Sequence, residues 1–100
     1  MNVTLRIKRK YFDLILSNDK RIEFRDVKPY YQRLFRNKDE LKTLTLHYQK
    51  GRILRANIEK IRIISLQTAK RLAPDDFRDS DIIFSNRIYA IYLLNARLIK

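Results

Sequence analysis

Apolar and polar residues alternate with a period of two in several stretches of this 100-residue chain. Successive side chains of a β-strand point to opposite faces, so this alternation predicts strands with one buried and one polar face. The predicted strands cover residues 3–8, 20–26, 43–49 and 53–66, and an apolar stretch at 88–99 predicts a fifth strand that is covered on both faces. About five strands with two or three short helices indicate a single α+β domain over residues 1–100, built as a small mixed β-barrel or strongly curved sheet.

The long predicted strand at 53–66 contains a change of phase. Its apolar residues fall on even positions before Glu59 and on odd positions after Lys60. The residues concerned are Leu54, Ala56, Ile58, Ile61 and Ile63. A slip of one residue turns the second set to the opposite face unless an extra residue bulges out of the strand. We therefore predict a β-bulge near Glu59 and Lys60.

The first helix is predicted between the first two strands. Apolar residues at i, i+3 and i+4 indicate a helix over residues 9–17 with one buried side. The residues on that side are Phe12, Ile15 and Leu16. Asn18 follows the helix, and asparagine tolerates the left-handed backbone that ends many helices. Gly51, the only glycine of the chain, is predicted to take a positive φ in a later turn, at residues 49–52.

A second short helix is predicted to begin at Pro29, because proline suits the first turn of a helix but cannot continue a central strand. Aromatic and basic residues interleave along it. Proteins that bind single-stranded RNA use this mixture, since rings stack on bases while cations hold phosphates. Tyr31, Leu34 and Phe35 are expected to pack on the core. Tyr30 is expected to be exposed.

An acidic cluster interrupts the last third of an otherwise basic chain. Pro74 followed by Asp75 and Asp76 predicts a helix start, where acidic side chains are favourable near the positive end of the helix. Asp79 and Asp81 complete the cluster, but their spacing matches no metal-binding loop. Helix capping is therefore the interpretation, and neither a metal site nor a cofactor is predicted.

The charge of the chain points to an anionic partner. Lys and Arg number 23 against 11 Asp and Glu, so the formal net charge is +12. A field of this sign attracts the phosphates of nucleic acids. A membrane surface is a poorer match, because no long predicted helix separates a basic face from an apolar one. RNA is therefore the predicted partner.

The absence of cysteine excludes disulfides, thiol catalysis and thiolate metal sites, and it fits an intracellular protein. The first residues do not form a signal peptide, since charges recur before any apolar segment. The longest apolar run, at residues 88–94, is far shorter than the ~20 residues needed to span a bilayer. We expect a cytoplasmic location without membrane contact.

The segment Lys20-Arg21-Ile22-Glu23-Phe24-Arg25 brings several chemical groups onto one predicted strand. Ile22 and Phe24 are expected to enter a core. The other face would align Arg21, Glu23 and Arg25, with Lys20 at the entry. Such a face can be a structural ion network, a ligand-binding surface or a catalytic one, and the spacing alone leaves all three open.

The residues from Ile15 to Arg25 resemble the signature of ASCH domains, which are small PUA-like β-barrels. That signature is a helix, a tight turn and then Lys-x-x-(Glu or Thr)-x-Arg on a strand, and Lys20, Glu23 and Arg25 match it. Asn18 stands where the family usually has glycine. The resemblance covers nearly the whole chain and implies a PUA-like mixed barrel. It also implies RNA binding, since the family is associated with RNA and with enzymes acting on RNA or modified nucleosides.

Some ASCH enzymes resemble amidohydrolases that act on acetylated cytidine with a Lys, a Thr and a later Glu. Lys20 matches the lysine, but Glu23 stands where the threonine would be. Residues 67–87 contain aspartates and no glutamate, so the third residue has no clear counterpart. This departure argues against that amidohydrolase activity and leaves other hydrolysis, such as RNA cleavage, open.

The leading prediction is an ASCH-like domain that binds single-stranded or modified RNA in a basic cleft. The residues predicted to contact RNA are Lys20, Arg21, Arg25, Tyr30, Arg33, His47 and Arg52. His47, the only histidine, is expected on the solvated face of its strand, either as ordinary polar surface or in contact with a base. The first alternative is a hydrolase acting on RNA or modified nucleosides, with proton transfer by Lys20 and Glu23. The second is a small interaction protein that covers an acidic partner.

Overall fold

The computed structural model describes residues 1–49, 51–78 and 85–100. Strands and helices alternate in the first part of the chain, and the longest strands come later. In chain order the elements are β1 (Asn2–Arg6), α1 (Arg9–Leu16), β2 (Ile22–Asp26), α2 (Pro29–Leu34), β3 (Thr43–Gln49), β4 (Arg52–Ser65), α3 (Leu66–Leu72) and β5 (Arg87–Leu98). Single 3₁₀ turns lie at Lys38–Glu40 and Pro74–Phe77.

All five strands belong to one mixed sheet in the order β1-β3-β4-β5-β2. β1 pairs with β3 in parallel, and the other three pairings are antiparallel. The curved sheet forms a half-barrel, in which β1 and β2 are the two edges. This architecture confirms the predicted small mixed α+β fold of about five strands and two or three helices.

The hydrophobic core lies on both faces of β5. Tyr89 and Ile91 of β5 belong to the larger cluster, where Phe12 and Ile15 of α1 pack against the sheet. Phe12 is fully buried in this cluster, as are Leu44, Leu46 and Leu54. On the opposite face Ile88 and Ala90 contact Phe24 of β2 and Ala69 of α3. The predicted covering of the last strand on both sides is confirmed.

The predicted β-bulge lies in β4 at Glu59. Ile58 pairs with Leu93 and Lys60 pairs with Tyr92, so Glu59 is one residue in excess over the partner strand β5. This excess residue allows Ile61 to remain in the larger core cluster together with Leu54 and Ala56. The prediction from the phase change is therefore confirmed.

Left-handed residues mark three of the turns and irregularities. Asn18 has a φ of 72° after α1 and Gly51 a φ of 89° between β3 and β4, as the sequence predicted. Asn95 has a φ of 55° beside a second irregularity, where Arg55 pairs with Arg97 but Asn57 pairs with Leu94. No pattern in the sequence indicated this second bulge.

The helices differ from prediction near the C-terminus. The predicted helix start at Pro74 is confirmed as a 3₁₀ turn of four residues. The preceding helix α3 was missed, although Ser65 caps it by accepting a hydrogen bond from the Thr68 amide at 3.1 Å. Asp79 and Asp81, predicted to belong to the acidic cluster, lie outside the described residues. Within the described ranges, no helix has the length and apolar character needed to cross a membrane.

Deleting Glu59 tests the role of the bulge. The deletion removes the excess residue and leaves Leu54, Ala56, Ile58, Ile61 and Ile63 in strict alternation, so the apolar face of β4 still points to the core. We therefore expect cooperative thermal unfolding by circular dichroism to persist in the deletion variant. Glu59→Ala keeps the residue count and the bulge, and it is expected to change stability by less than about 0.5 kcal/mol. A loss of about 4 kcal/mol or more in the deletion variant would show that Glu59 is not the excess residue and would contradict the assignment.

Candidate functional site

A cleft of about 250 Å³ opens between the two edge strands of the half-barrel. The end of β1 and the following turn form one side, β2 and the start of α2 form the other, and the Pro74–Phe77 turn completes it. The lining residues are Arg6, Ile7, Lys8, Tyr11, Lys20, Glu23, Phe24, Arg25, Asp26, Lys28, Tyr31, Asp76 and Phe77.

The turn after α1 directs Lys20 into this cleft. The amides of Asp19 and Lys20 both donate to the Leu14 carbonyl, at 2.9 and 3.0 Å, because Asn18 adopts the left-handed conformation. The chain therefore reverses tightly, and the Lys20 side chain is only 6% exposed. Burial of an ammonium group requires compensating partners.

Lys20 has such partners on several sides. Its Nζ donates to the Ile22 carbonyl and to Asp76 Oδ2, and it lies 3.8 Å from Glu23 Oε1. The ring centroids of Tyr11 and Phe24 lie 5.4 and 4.9 Å from Nζ, within the range of cation–π attraction. The ammonium is held by carboxylates and rings together.

Glu23 and Arg25 project from the same face of β2, because they are two residues apart on a strand. Arg25 Nε and Nη2 donate to one carboxylate oxygen, Glu23 Oε2, at 2.9 and 2.7 Å. The Glu23 residue is 5% exposed, so this ion pair lies in a shielded environment. Ile22 and Phe24 face the smaller core cluster instead, as predicted for the alternate positions.

Arg25 also connects the two edges of the half-barrel. Its Nη2 donates to the Arg6 carbonyl on β1 at 2.8 Å, and its Nη1 donates to the Tyr31 hydroxyl at 3.1 Å. Burial alone lowers the pKa of Arg25, but the Glu23 carboxylate and the hydrogen bonds to Tyr31 and Glu23 outweigh it, so the pKa is raised. Four of the five guanidinium N–H groups donate to described residues.

Asp76 joins the site from the far end of the sequence. Asp76 lies in the first turn of the Pro74–Phe77 helix, as predicted, but no side-chain capping hydrogen bond forms there, and its carboxylate instead accepts from Lys20, 56 residues away in the chain. Its neighbour Asp75 pairs instead with Arg78 at 3.0 Å on the surface. Phe77 follows Asp76 into the cleft and lies against the Phe24 ring at a centroid distance of 5.1 Å.

The charged side chains that line the cleft differ in exposure. The charged lining groups that are largely buried are the carboxylates Glu23, Asp26 and Asp76 and the cations Lys20 and Arg25, and Asp26 pairs with the exposed Lys28 at 3.7 Å. The remaining cations are exposed and lie at the rim. They are Arg6, Lys8 and Lys28. Asp26 is held in place by the amide of Ser85 at 3.0 Å and by the Ser85 hydroxyl.

Three of the residues predicted from the motif meet in this cleft, namely Lys20, Glu23 and Arg25. Arg21 does not line the cleft with them, because it is exposed and borders a second hollow of about 400 Å³ on the other side of Lys20 and Asp76. Tyr30 is 57% exposed, as predicted, and its ring lies edge-on to Tyr31 at 5.0 Å.

The other predicted RNA contacts lie elsewhere. Arg33 is exposed on α2, one helical turn after Tyr30. His47 is half-buried on β3, on the face opposite Leu44 and Leu46, and Arg52 begins β4. Of the residues that the structure describes, those lining the cleft include neither His47 nor Arg52.

Several lining residues were missed by sequence reasoning. Lys8 and Lys28 were indistinguishable from other surface cations, because only the fold brings the ends of β1 and β2 together. Tyr31 packs on the core as predicted but also lines the cleft and accepts from Arg25. Asp76 had a detectable signal in its acidic cluster, but nothing in the sequence indicated Lys20 as its partner.

The half-barrel with a cleft at its open edge has an ASCH-like fold. The similarity is to the crystal structure of a serine-to-alanine mutant of ZmASCH from Zymomonas mobilis. The TM-score is 0.69 at 13% sequence identity, over 97% of this chain and 70% of that chain. No family model and no curated protein sequence matches this chain. At this identity the similarity establishes the fold.

The arrangement offers acid–base groups but not the set that the motif resemblance implied. Glu23 occupies the threonine position and is paired with Arg25, while Asp76 supplies a carboxylate to Lys20 from the region that lacks glutamate. Within the described residues, no three His, Asp or Glu side chains are grouped so as to hold a metal ion. The cleft can therefore bind through rings and charges, or transfer protons between Lys20 and its carboxylates.

Replacing Arg25 tests the connection between the two edges. Arg25→Lys removes the planar fork, and we expect it to lower the free energy of unfolding by about 2–3 kcal/mol, whereas Tyr31→Phe removes one hydrogen bond and costs about 1 kcal/mol. Because the raised pKa of Arg25 is far above neutral, its stabilising charge is lost only at still higher pH. The Arg25→Lys difference should therefore stay constant from neutral to about pH 10 in urea titrations. A loss no larger than that of Tyr31→Phe would contradict this role.

Proposed function

We propose that this ASCH-like domain binds single-stranded or modified RNA and admits one unstacked base into the cleft at the open edge of the half-barrel. The observation that carries the proposal is the combination of aromatic walls, buried polar groups and a cationic rim in one cleft. Sequence-specific RNA recognition usually targets unpaired bases, which stack on rings and form hydrogen bonds with protein groups.

The dimensions of the cleft suit a small ligand. Its volume of about 250 Å³ lies below the range of about 300–1,000 Å³ that is usual for drug-sized ligands. Tyr11, Phe24, Tyr31 and Phe77 contribute rings to its walls. A single base, and not a base pair or a helix, is the nucleic-acid component that such a space accommodates.

The rim supplies contacts for the phosphates on either side of the inserted base. Arg6, Lys8 and Lys28 are exposed at the mouth, and the Lys28 side chain is 61% exposed with Asp26 at 3.7 Å. Flexible lysines of this kind act as point charges for phosphate. The net charge of +12 adds a long-range attraction for any RNA strand.

The residues predicted from the sequence take different places in this proposal. Lys20 and Arg25 organise the inner end of the cleft, and Tyr30 and Arg33 extend the path along α2, where a neighbouring base can stack on the exposed ring. Arg21 borders the second hollow beyond Lys20. Contacts from His47 and Arg52 remain predictions that the proposed path does not require.

RNA affinity and its salt dependence test the proposed function. We expect a fluorescent single-stranded RNA to bind with an affinity that falls steeply with salt in anisotropy titrations. The double variant Lys8→Ala, Lys28→Ala should weaken binding and reduce the slope of log affinity against log salt by about two, because each phosphate contact contributes about one.

Arg97→Ala is the matched control, since it removes one exposed charge on β5 beyond the pairing with β2. We expect a smaller loss of affinity per charge from this control than from the double variant. Equal loss per charge would indicate only diffuse attraction, and no binding at low salt would contradict the proposed function.

Hydrolysis of RNA or of a modified nucleoside is a second candidate function. One observation favours it: the ammonium of Lys20 lies between two carboxylates, Glu23 and Asp76, inside a cleft rather than on a convex surface. Groups in such a cluster can exchange protons with a bound substrate. This candidate uses the same cleft and the same inserted base.

Product formation separates hydrolysis from binding alone. RNA and a panel of modified nucleosides are incubated with the protein, and products are separated by liquid chromatography. If the cleft is catalytic, Lys20→Met abolishes turnover, while Lys60→Met, on the far face of β4, leaves it unchanged. Absence of product with the unaltered protein would leave binding as the function.

A further inference from the structure

One carboxylate oxygen in the cleft retains its capacity to accept hydrogen bonds. Both hydrogen bonds from Arg25 go to Glu23 Oε2. The other oxygen, Oε1, lies 3.8 Å from Lys20 Nζ, which is beyond hydrogen-bonding distance. Among the described residues, Oε1 therefore has an ionic neighbour but receives no hydrogen bond.

Lys20 is held away from this oxygen by its other partners. Its Nζ donates to the Ile22 carbonyl and to Asp76, and it lies over the Phe24 ring. Arg25 is fixed in the same way by Arg6 and Tyr31. The orientation of the carboxylate is thus set by the protein before a ligand arrives, which is a requirement for selective recognition.

The surrounding groups favour a ligand that donates. Glu23 Oε1 is an acceptor without a donor, while the charges around it are paired: Lys20 and Arg25 with Glu23 and Asp76, and Lys28 with Asp26. A carbonyl oxygen brought to Oε1 would meet a second acceptor and be repelled. An amino group would instead satisfy Oε1 with a charge-assisted hydrogen bond.

We infer that Glu23 Oε1 makes the cleft selective for bases with an exocyclic amino group over bases with a carbonyl at the same position. The inference rests on the proposed function, because it assigns the edge of the inserted base. Glu23 is the residue that determines specificity, and Arg25 is a positioning residue that acts through it. The ligand class is an amino-bearing base in single-stranded RNA.

The test uses RNA decamers in which one central nucleotide carries a base and the other positions are abasic. All probes then present the same phosphates, and the two bases of each pair differ only along the edge that carries the amino group or the carbonyl with its adjacent ring nitrogen. Cytosine is compared with uracil and adenine with hypoxanthine, with a fully abasic decamer as the reference for backbone binding. We expect the amino-bearing member of each pair to bind about tenfold more tightly in anisotropy titrations at low salt.

Two substitutions at Glu23 connect the preference to this residue. Glu23→Gln offers a neutral amide that can donate as well as accept, and Glu23→Asp keeps the charge opposite Arg25 but withdraws it by one methylene. Both should reduce the preference to about twofold or less. Glu59→Gln, which removes one exposed carboxylate from the bulge in β4, should retain it.

The outcomes distinguish the inference from the function on which it rests. No binding to any decamer contradicts RNA binding and the inference with it. Binding that is equal with and without a base contradicts base insertion. A gain from the base without preference for the amino group contradicts only the selectivity, and a preference that survives both Glu23 variants contradicts its assignment to Glu23.

Discussion

The side chain of Arg25 is the interaction on which the site depends. A half-barrel leaves two edge strands without a backbone partner between them, and here β1 and β2 are those edges. Arg25 spans the gap by donating to the Arg6 carbonyl on β1 while its own strand carries Glu23. One guanidinium therefore holds the edges at a fixed separation and also fixes the carboxylate between them. The width of the cleft and its chemistry have the same origin.

The charged side chains of this site are largely buried, so each of them needs a partner. A buried ion pair contributes little stability compared with apolar packing, yet removing one partner is costly because the other charge is left unpaired. The buried charges of the site are therefore all paired. Lys20, Glu23 and Arg25 each have partners on two or more sides, and Asp76 has one close partner, Lys20. Such a network is better suited to orienting groups than to stabilising the fold. The stability of the fold comes instead from the apolar residues of α1 and the sheet, with Phe12, Ile15, Leu44, Leu46 and Leu54 at its centre.

Local pattern was sufficient to predict much of the fold. Period-two alternation located the strands, and the phase change located the bulge at Glu59, because strand faces follow directly from residue spacing. The motif likewise brought Lys20, Glu23 and Arg25 together, since they are neighbours on one strand and its entry. The second bulge at Asn95 and the helix α3 were not predicted, because a single asparagine and a single capping serine resemble ordinary loop residues in a sequence.

Contacts between residues far apart in the chain could not be predicted from residue spacing, and these contacts determine which side chains line the cleft. The local sequence around Asp76 predicts a residue at a helix start, but nothing in it predicts the ion pair with Lys20, which is 56 residues away. Lys8 and Lys28 lie together at the rim of the cleft only because the fold places β1 and β2 at opposite edges of the sheet. The result is a protein with a net charge of +12 whose cleft holds paired, buried charges beneath a basic rim. In the proposed function the rim would contact phosphate and the Glu23 carboxylate would accept from the base, so affinity and selectivity would depend on different residues of one site.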